Sequence, residues 1–140
     1  MDNQETFMED WLSIDTTMSK VKKETESILQ ANYNISLKEF YVLYYISKSP
    51  DKKLRLQQLQ EKIGLSQSAL SRLVAGMESS SCGALEKSVC TDDRRGTYTK
   101  LTELGETKLK KALQDFRWVV EKYLSIDDLE ISLNSLKGEF

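Results

Sequence analysis

Apolar residues recur along this chain at helical spacing. Phe7, Trp11, Ile14, Met18, Val21, Thr25 and Ile28 stand 4, 3, 4, 3, 4 and 3 residues apart, which predicts one long helix over about residues 5–31 with a single apolar stripe. A stripe this regular packs either on its own subunit or against a partner helix. The stretch 32–35 breaks the pattern. Ser36 then opens a second helix: Glu39, three residues later, completes a capping box, and Ile35 with Phe40 forms a hydrophobic staple. Leu37, Phe40, Leu43, Tyr44 and Ile46 are its expected buried face, and Ser49-Pro50 ends it. The charged turn Asp51-Lys52-Lys53 leads to a short helix over 56–63, with Leu56, Leu59 and Ile63 inward and Gly64 as a left-handed terminator. Ser66 caps the next helix. Leu65 and Leu70 staple it, and Leu70, Leu73, Val74 and Met77 face inward.

The period then changes. Residues 79–83 read as a loop, and 84–90 and 97–101 as two short strands around a turn at 91–96. Thr102 caps a helix over 103–124 whose seam is Leu109, Leu113, Phe116, Val120 and Tyr123. Ser125 is expected to begin a last helix, with Leu124 and Leu129 as staple and Ile126, Leu129, Leu133 and Leu136 as stripe. The predicted fold class is mainly α (α+β): helix, helix, helix–turn–helix, β-hairpin, helix, helix, in one domain.

Composition narrows the chemistry. The chain of 140 residues is 39% hydrophobic and 30% charged, enough to bury a core. It contains no histidine, which removes histidine acid–base catalysis and most metal sites. Its two cysteines, Cys82 and Cys90, are too few for a thiolate zinc site, and its glycines form no phosphate loop. An enzyme is therefore not expected, nor a cofactor. The acidic start after Met1 is wrong for a secretory signal and no apolar run approaches a membrane span, so the expected location is cytoplasmic.

The net charge of −2 hides an uneven distribution. Residues 1–50 sum to −3, residues 51–100 to +3 and residues 101–140 to −2. The positive charge thus falls on the predicted helix–turn–helix and hairpin, where it focuses a field on one part of an acidic protein. The second helix of the pair presents Gln67, Ser68, Ser71, Arg72 and Ala75 outward. Short side chains let its backbone approach a surface closely; Gln, Ser and Arg bond base edges or phosphates, and the amides near Ser66 favour an anion. A solvated helix face is the competing reading. The hairpin tip CTDDRRGTYT, residues 90–99, is either a charge-balanced surface turn or a device for a narrow, electronegative minor groove. In the second case Asp92 or Asp93 orients one of Arg94 and Arg95 while the other stays free.

The stretch LRLQQLQEKIGLSQSALSRLVAGME, followed by DDRRGTYTKLTELG, resembles the multiple-antibiotic-resistance regulator (MarR) family of winged helix–turn–helix proteins. Asp92, Arg94, Arg95, Leu101, Thr102 and Gly105 match its D-x-R-R wing and following L-T-x-x-G. The resemblance extends over residues 1–140. It implies a winged helix–turn–helix lobe over 36–101 with a two-stranded wing, and dimerisation helices at 5–31 and 103–138. It implies a homodimer on a pseudo-palindromic operator in double-stranded DNA. Ser66, Gln67, Ser68, Ser71 and Arg72 then face the major groove, Arg94 or Arg95 enters the minor groove, and Arg55 and Lys87 contact phosphate. It also implies a small aromatic or anionic effector, for which Trp11, Phe40, Tyr41, Tyr44, Tyr45 and Trp118 are pocket candidates, although aromatics at this spacing equally form core. Cys82 and Cys90 flank the first wing strand and are the candidates for redox sensing, against the reading of buried, inert thiols. The leading expectation is a dimeric repressor. The alternatives are a winged-helix module that binds protein, and a cysteine-based redox regulator.

Overall fold

A computed structural model describes residues 2–79, 81–89, 97–126 and 129–138. In chain order these form α1 (Asn3–Tyr33), α2 (Leu37–Ser47), a short 3-10 turn (Pro50–Lys52), β1 (Lys53–Arg55), α3 (Leu56–Ile63), α4 (Gln67–Glu78), β2 (Leu85–Val89), β3 (Thr97–Leu101), α5 (Glu103–Ile126) and α6 (Leu129–Lys137). The strands make one antiparallel sheet in the order β1-β3-β2.

The caps are where the sequence places them. Ser36 Oγ accepts from the Glu39 amide at 3.1 Å while Glu39 Oε1 accepts from the Ser36 amide at 2.9 Å. Ile35 and Phe40, the staple, are buried. Asn34 stops α1 in the left-handed region, φ 56°, its amide bonding back to Gln30 O. Thr102 Oγ1 accepts from the Gly105 amide at 3.0 Å and so opens α5.

The core lies between α2, α3, α4, the sheet and the first half of α5. Ile35, Leu43, Ile46, Leu59, Leu70, Met77 and Leu85 are its largest fully enclosed side chains, joined by Leu29 from the end of α1. Beyond this lobe α1 packs along α5 and α6. Ser135 Oγ donates to Asp10 Oδ2 at 2.6 Å, and the Lys122 ammonium meets Glu24 Oε1 at 2.7 Å. No helix among the described residues is long and apolar enough to cross a membrane.

Several sequence expectations are corrected. The buried stripe of α1 is Ile14, Thr17, Val21, Thr25 and Leu29. Phe7, Trp11 and Met18 are exposed, because an untwisted helix advances 3.6 residues per turn and a strict 3-4 pattern drifts off the contact line. Tyr44 is exposed and Val42 takes the inward place on α2; on α5, Leu113 is exposed while Ala112 and Val119 are enclosed. Ser125 does not start a helix, since α5 runs through to Ile126 and α6 begins at Leu129. The charged turn after α2 contains a third strand, β1, whose alternation of half-buried Lys53, buried Leu54 and half-buried Arg55 is too short to read as a strand alone.

Candidate nucleic-acid interface

Gly64 makes the tight turn possible. At φ 78° it adopts a conformation that costs other residues strain, and its amide returns to Gln60 O at 3.2 Å. Two residues later Ser66 Oγ accepts from the Ala69 amide at 3.2 Å and starts α4. Leu70, Val74 and Met77 pin one side of α4 in the core, so Gln67, Ser68, Ser71, Arg72 and Ala75 face outward by helical geometry. Gln67, Ser68, Ser71 and Arg72 line a shallow, open concavity of about 620 Å³. Among the described residues, no hydrogen bond or ion pair engages Arg72. The amides of the first turn of α4 add a partial positive charge at the same end.

The sheet adjoins this helix through β2. Lys87 is exposed on β2, opposite Thr99 of β3, and shares with Ser71, Ala75 and Glu78 a cleft of about 300 Å³ between α4 and the sheet. Burial raises the Glu78 carboxyl above its ordinary range, with the Lys87 ammonium pulling the other way. One carboxylate oxygen of Glu78, Oε2, is enclosed without a hydrogen-bond partner among the described residues. Arg55 closes β1 and stands at the N-cap of α3, its amide donating to Gln58 Oε1 at 3.0 Å. Its guanidinium lies 5.2 Å from the centre of the Tyr98 ring. Asp92, Asp93, Arg94, Arg95 and Cys90 lie outside the described residues.

The six candidate pocket aromatics are spread over α1, α2 and α5. Phe40 is buried, with its ring 5.6 Å from Phe116 and 6.0 Å from Tyr41. Tyr44 and Tyr45 pack edge to face at 5.9 Å, with Lys48 over the first ring and Lys62 over the second. Trp11 on α1 and Trp118 on α5 are 52% and 57% exposed, which marks them as surface groups in a single subunit. Cys82 is a half-buried free thiol packed at the edge of the core.

Sequence reasoning missed Lys53, Tyr98 and Lys100 as a group. The alternation Lys53-Leu54-Arg55 is the one trace of it in the sequence, and three residues are too few to read as a strand without β3 alongside.

Residues 33–96 match the model of the MarR family. No curated protein sequence matches the chain significantly. Solved structures share the fold at low identity. Sco3205, a MarR family transcriptional regulator from Streptomyces coelicolor in complex with DNA, is 22% identical with a TM-score of 0.73, covering 91% of this chain and 80% of its own. AbsC, a MarR family transcriptional regulator from the same organism, is 21% identical with a TM-score of 0.72, covering 91% and 87%. The organohalide-sensing regulator RdhR-CbdbA1625 in its 2,4-dichlorophenol-bound form is 19% identical with a TM-score of 0.70, covering 91% and 75%.

Proposed function

We propose that this chain is a MarR-family winged helix–turn–helix regulator, and that it acts as a cytoplasmic homodimeric repressor that reads a pseudo-palindromic operator and leaves it on binding a small effector. The observation that carries the DNA-binding part is the outward face of α4. Its Gln67, Ser68, Ser71 and Arg72 form a shallow polar concavity at a helix N-terminus, in the basic part of an acidic chain. Short polar side chains admit the helix to a major groove, and Arg72 supplies either a guanine or a phosphate contact. In this reading Arg55 and Lys87 contact flanking phosphates, and Arg94 or Arg95, braced by Asp92 or Asp93, enters the minor groove.

Dimerisation is supported by the apolar surface of the terminal helices. Phe7, Met8, Trp11 and Leu12 on α1 and Ile131 on α6 are all more than 45% exposed, and the two helices pack together. Apolar residues concentrated in this way mark an association surface. The domain reading follows: helices 5–31 and 103–138 join two subunits, and 36–101 is the lobe that each places on DNA. Effector binding is supported by the 2,4-dichlorophenol-bound form of the organohalide-sensing regulator RdhR-CbdbA1625. Trp11, Phe40, Tyr41, Tyr44, Tyr45 and Trp118 remain its candidate contacts once a second subunit is added.

The test is a titration of duplex DNA from upstream of the protein's own gene at several salt concentrations. A regulator loses affinity steeply as salt rises, because phosphate contacts release counterions. Flat salt dependence, or no binding, favours the alternative of a winged-helix module that binds protein.

A further inference from the structure

The inward face of the sheet changes character along its length. Alternate residues of a strand share a face, and so do residues paired directly across two strands. Leu85 pairs with Leu101 and Lys87 with Thr99, so all four lie on one side. The first pair is buried in the core. The second sets an exposed lysine beside a threonine that is only 6% exposed. A cleft of about 300 Å³ opens at this point, between the sheet and α4. Leu56 and Val74 give it an apolar wall, Ser71 and Thr99 line it with hydroxyls, and Glu78 and Lys87 line it with opposite charges.

The polar groups of this cleft are short of partners. Glu78 Oε2 is enclosed and accepts no hydrogen bond among the described residues. The Thr99 side chain is more than nine-tenths buried, and among the described residues no hydrogen bond engages its hydroxyl. The Lys87 ammonium is near enough to act on the Glu78 carboxyl, yet the two make no ion pair. Burial outweighs that pull and raises the carboxyl above its ordinary range. An enclosed carboxylate without a donor is destabilising, and a bound donor removes the penalty.

We propose that the cleft between α4 and the sheet binds a small α-amino acid, whose ammonium donates to Glu78 Oε2, whose carboxylate accepts from the Lys87 ammonium, and whose side chain rests against Leu56 and Val74. Each part answers a group that the cleft leaves unpaired. The enclosed oxygen calls for a donor, and a cationic donor also balances its charge. Lys87, at the exposed rim, takes the carboxylate, and the Ser71 and Thr99 hydroxyls are able to donate or accept. Opposite charges that lie within each other's field without touching match a molecule that carries both signs on neighbouring atoms. A purely cationic ligand is repelled by Lys87, and a purely anionic one by Glu78. The volume lies at the lower end for ligand sites, so the occupant is small. One subunit supplies the whole lining, apart from the aromatic residues assigned above to an effector, and the site rests on no assumption about DNA.

The experiment is isothermal titration calorimetry of the full chain without DNA, with L-alanine, L-leucine and L-phenylalanine as probes of side-chain size. At least one should bind with a dissociation constant below about 1 mM. With the tightest probe, Glu78→Gln and Lys87→Met should each weaken binding about tenfold or more. The amine and the carboxylic acid that each keep only one of the probe's charges should bind more weakly by the same factor. Circular-dichroism melts establish that the variants fold; if one does not, the two single-charge analogues decide with the wild-type protein. Saturable binding of none of the three amino acids overturns the site. Wild-type affinity in either variant also overturns it, and is the result expected if the amino acid sits among the aromatic residues of α1, α2 and α5 instead. A single-charge analogue that binds as tightly as its amino acid overturns it too. Because no duplex is present, failure here leaves the DNA reading standing.

Discussion

Replacing Gly105 by alanine tests the junction on which the sheet is seated. Gly105 lies in the first turn of α5. A Cβ built there meets the Ala84 carbonyl oxygen at 2.2 Å, Leu101 Cδ1 at 2.9 Å and the Ala84 carbonyl carbon at 3.1 Å. The first is a backbone atom with no rotamer to escape into. It is also in use: the Ala84 oxygen accepts from the Thr102 amide at 3.1 Å and is 3.0 Å from Thr102 Oγ1, which also reaches the Gly83 oxygen at 2.6 Å. Relief of the clash must move either the entry to β2 or the start of α5. Overpacking of this kind costs about 1–3 kcal/mol, and loosening one or two hydrogen bonds adds about 1 kcal/mol each. Helix propensity works in the other direction, by about 1 kcal/mol in favour of alanine. The net expectation is a loss of about 1–4 kcal/mol.

The internal control is Gly76→Ala on α4. There a Cβ finds no atom within 4 Å, so only the propensity gain acts and the variant should be more stable by about 0.5–1 kcal/mol. Both variants are compared by urea denaturation at one fixed protein concentration, because any association between subunits makes stability concentration-dependent. A Gly105→Ala protein within about 0.5 kcal/mol of wild type, an ordinary surface effect, would refute the reasoning.

Other consequences can be checked alongside. Ser36→Ala removes the α2 capping box and should cost about 1 kcal/mol in the same assay, where no change would deny the cap its energetic role. Arg72→Ala should weaken binding to the preferred duplex by about 1–3 kcal/mol, measured by anisotropy, if the α4 face reads DNA. Arg94→Ala and Arg95→Ala address the wing in the same way, and unchanged affinity in both removes it from the mechanism. The Tyr33 hydroxyl donates to Asp115 Oδ2, and burial, together with that carboxylate, pushes the Tyr33 phenol up to about 12. A raised pKa means that the folded state favours the protonated phenol, so this stability is present below about pH 10 and is lost as pH climbs towards 12. Stability should therefore fall less steeply across that window in Tyr33→Phe than in wild type, as read from denaturation at successive pH values.

What could be read from the sequence follows from the range of the interaction that decides each feature. Caps and staples are local, and Ser36 with Glu39, Gly64, Ser66 and Thr102 all appear in their expected roles. The helix–turn–helix was legible because a left-handed glycine between two periodic segments has few other uses. Burial on the long helices was not, since it depends on partners distant in sequence. Thr17 and Thr25 are buried on α1 while Phe7 and Trp11 are exposed, against any ranking by hydrophobicity. Strand β1 escaped for the same reason: three residues become a strand only because β3 lies alongside. The pairing of Arg55 with Tyr98 then stayed hidden, because Tyr98 is 43 positions from Arg55 in sequence and its partner only in register.

These contacts also say how the hairpin strands are held. The base of β2 is tied to α5 by Thr102 and by the absence of a side chain at Gly105. On its other side, towards α4, the sheet meets a cleft of about 300 Å³ where one oxygen of Glu78 is enclosed without a hydrogen-bond partner among the described residues. An interface with close backbone contact and bridging hydrogen bonds resists displacement more than one with a cleft and an unpaired carboxylate. The strands should therefore keep their place relative to α5 more firmly than relative to α4. Since α5 also carries Trp118 and Leu124 on its exposed far half, one helix connects the base of the hairpin to exposed apolar residues at the far end of the subunit.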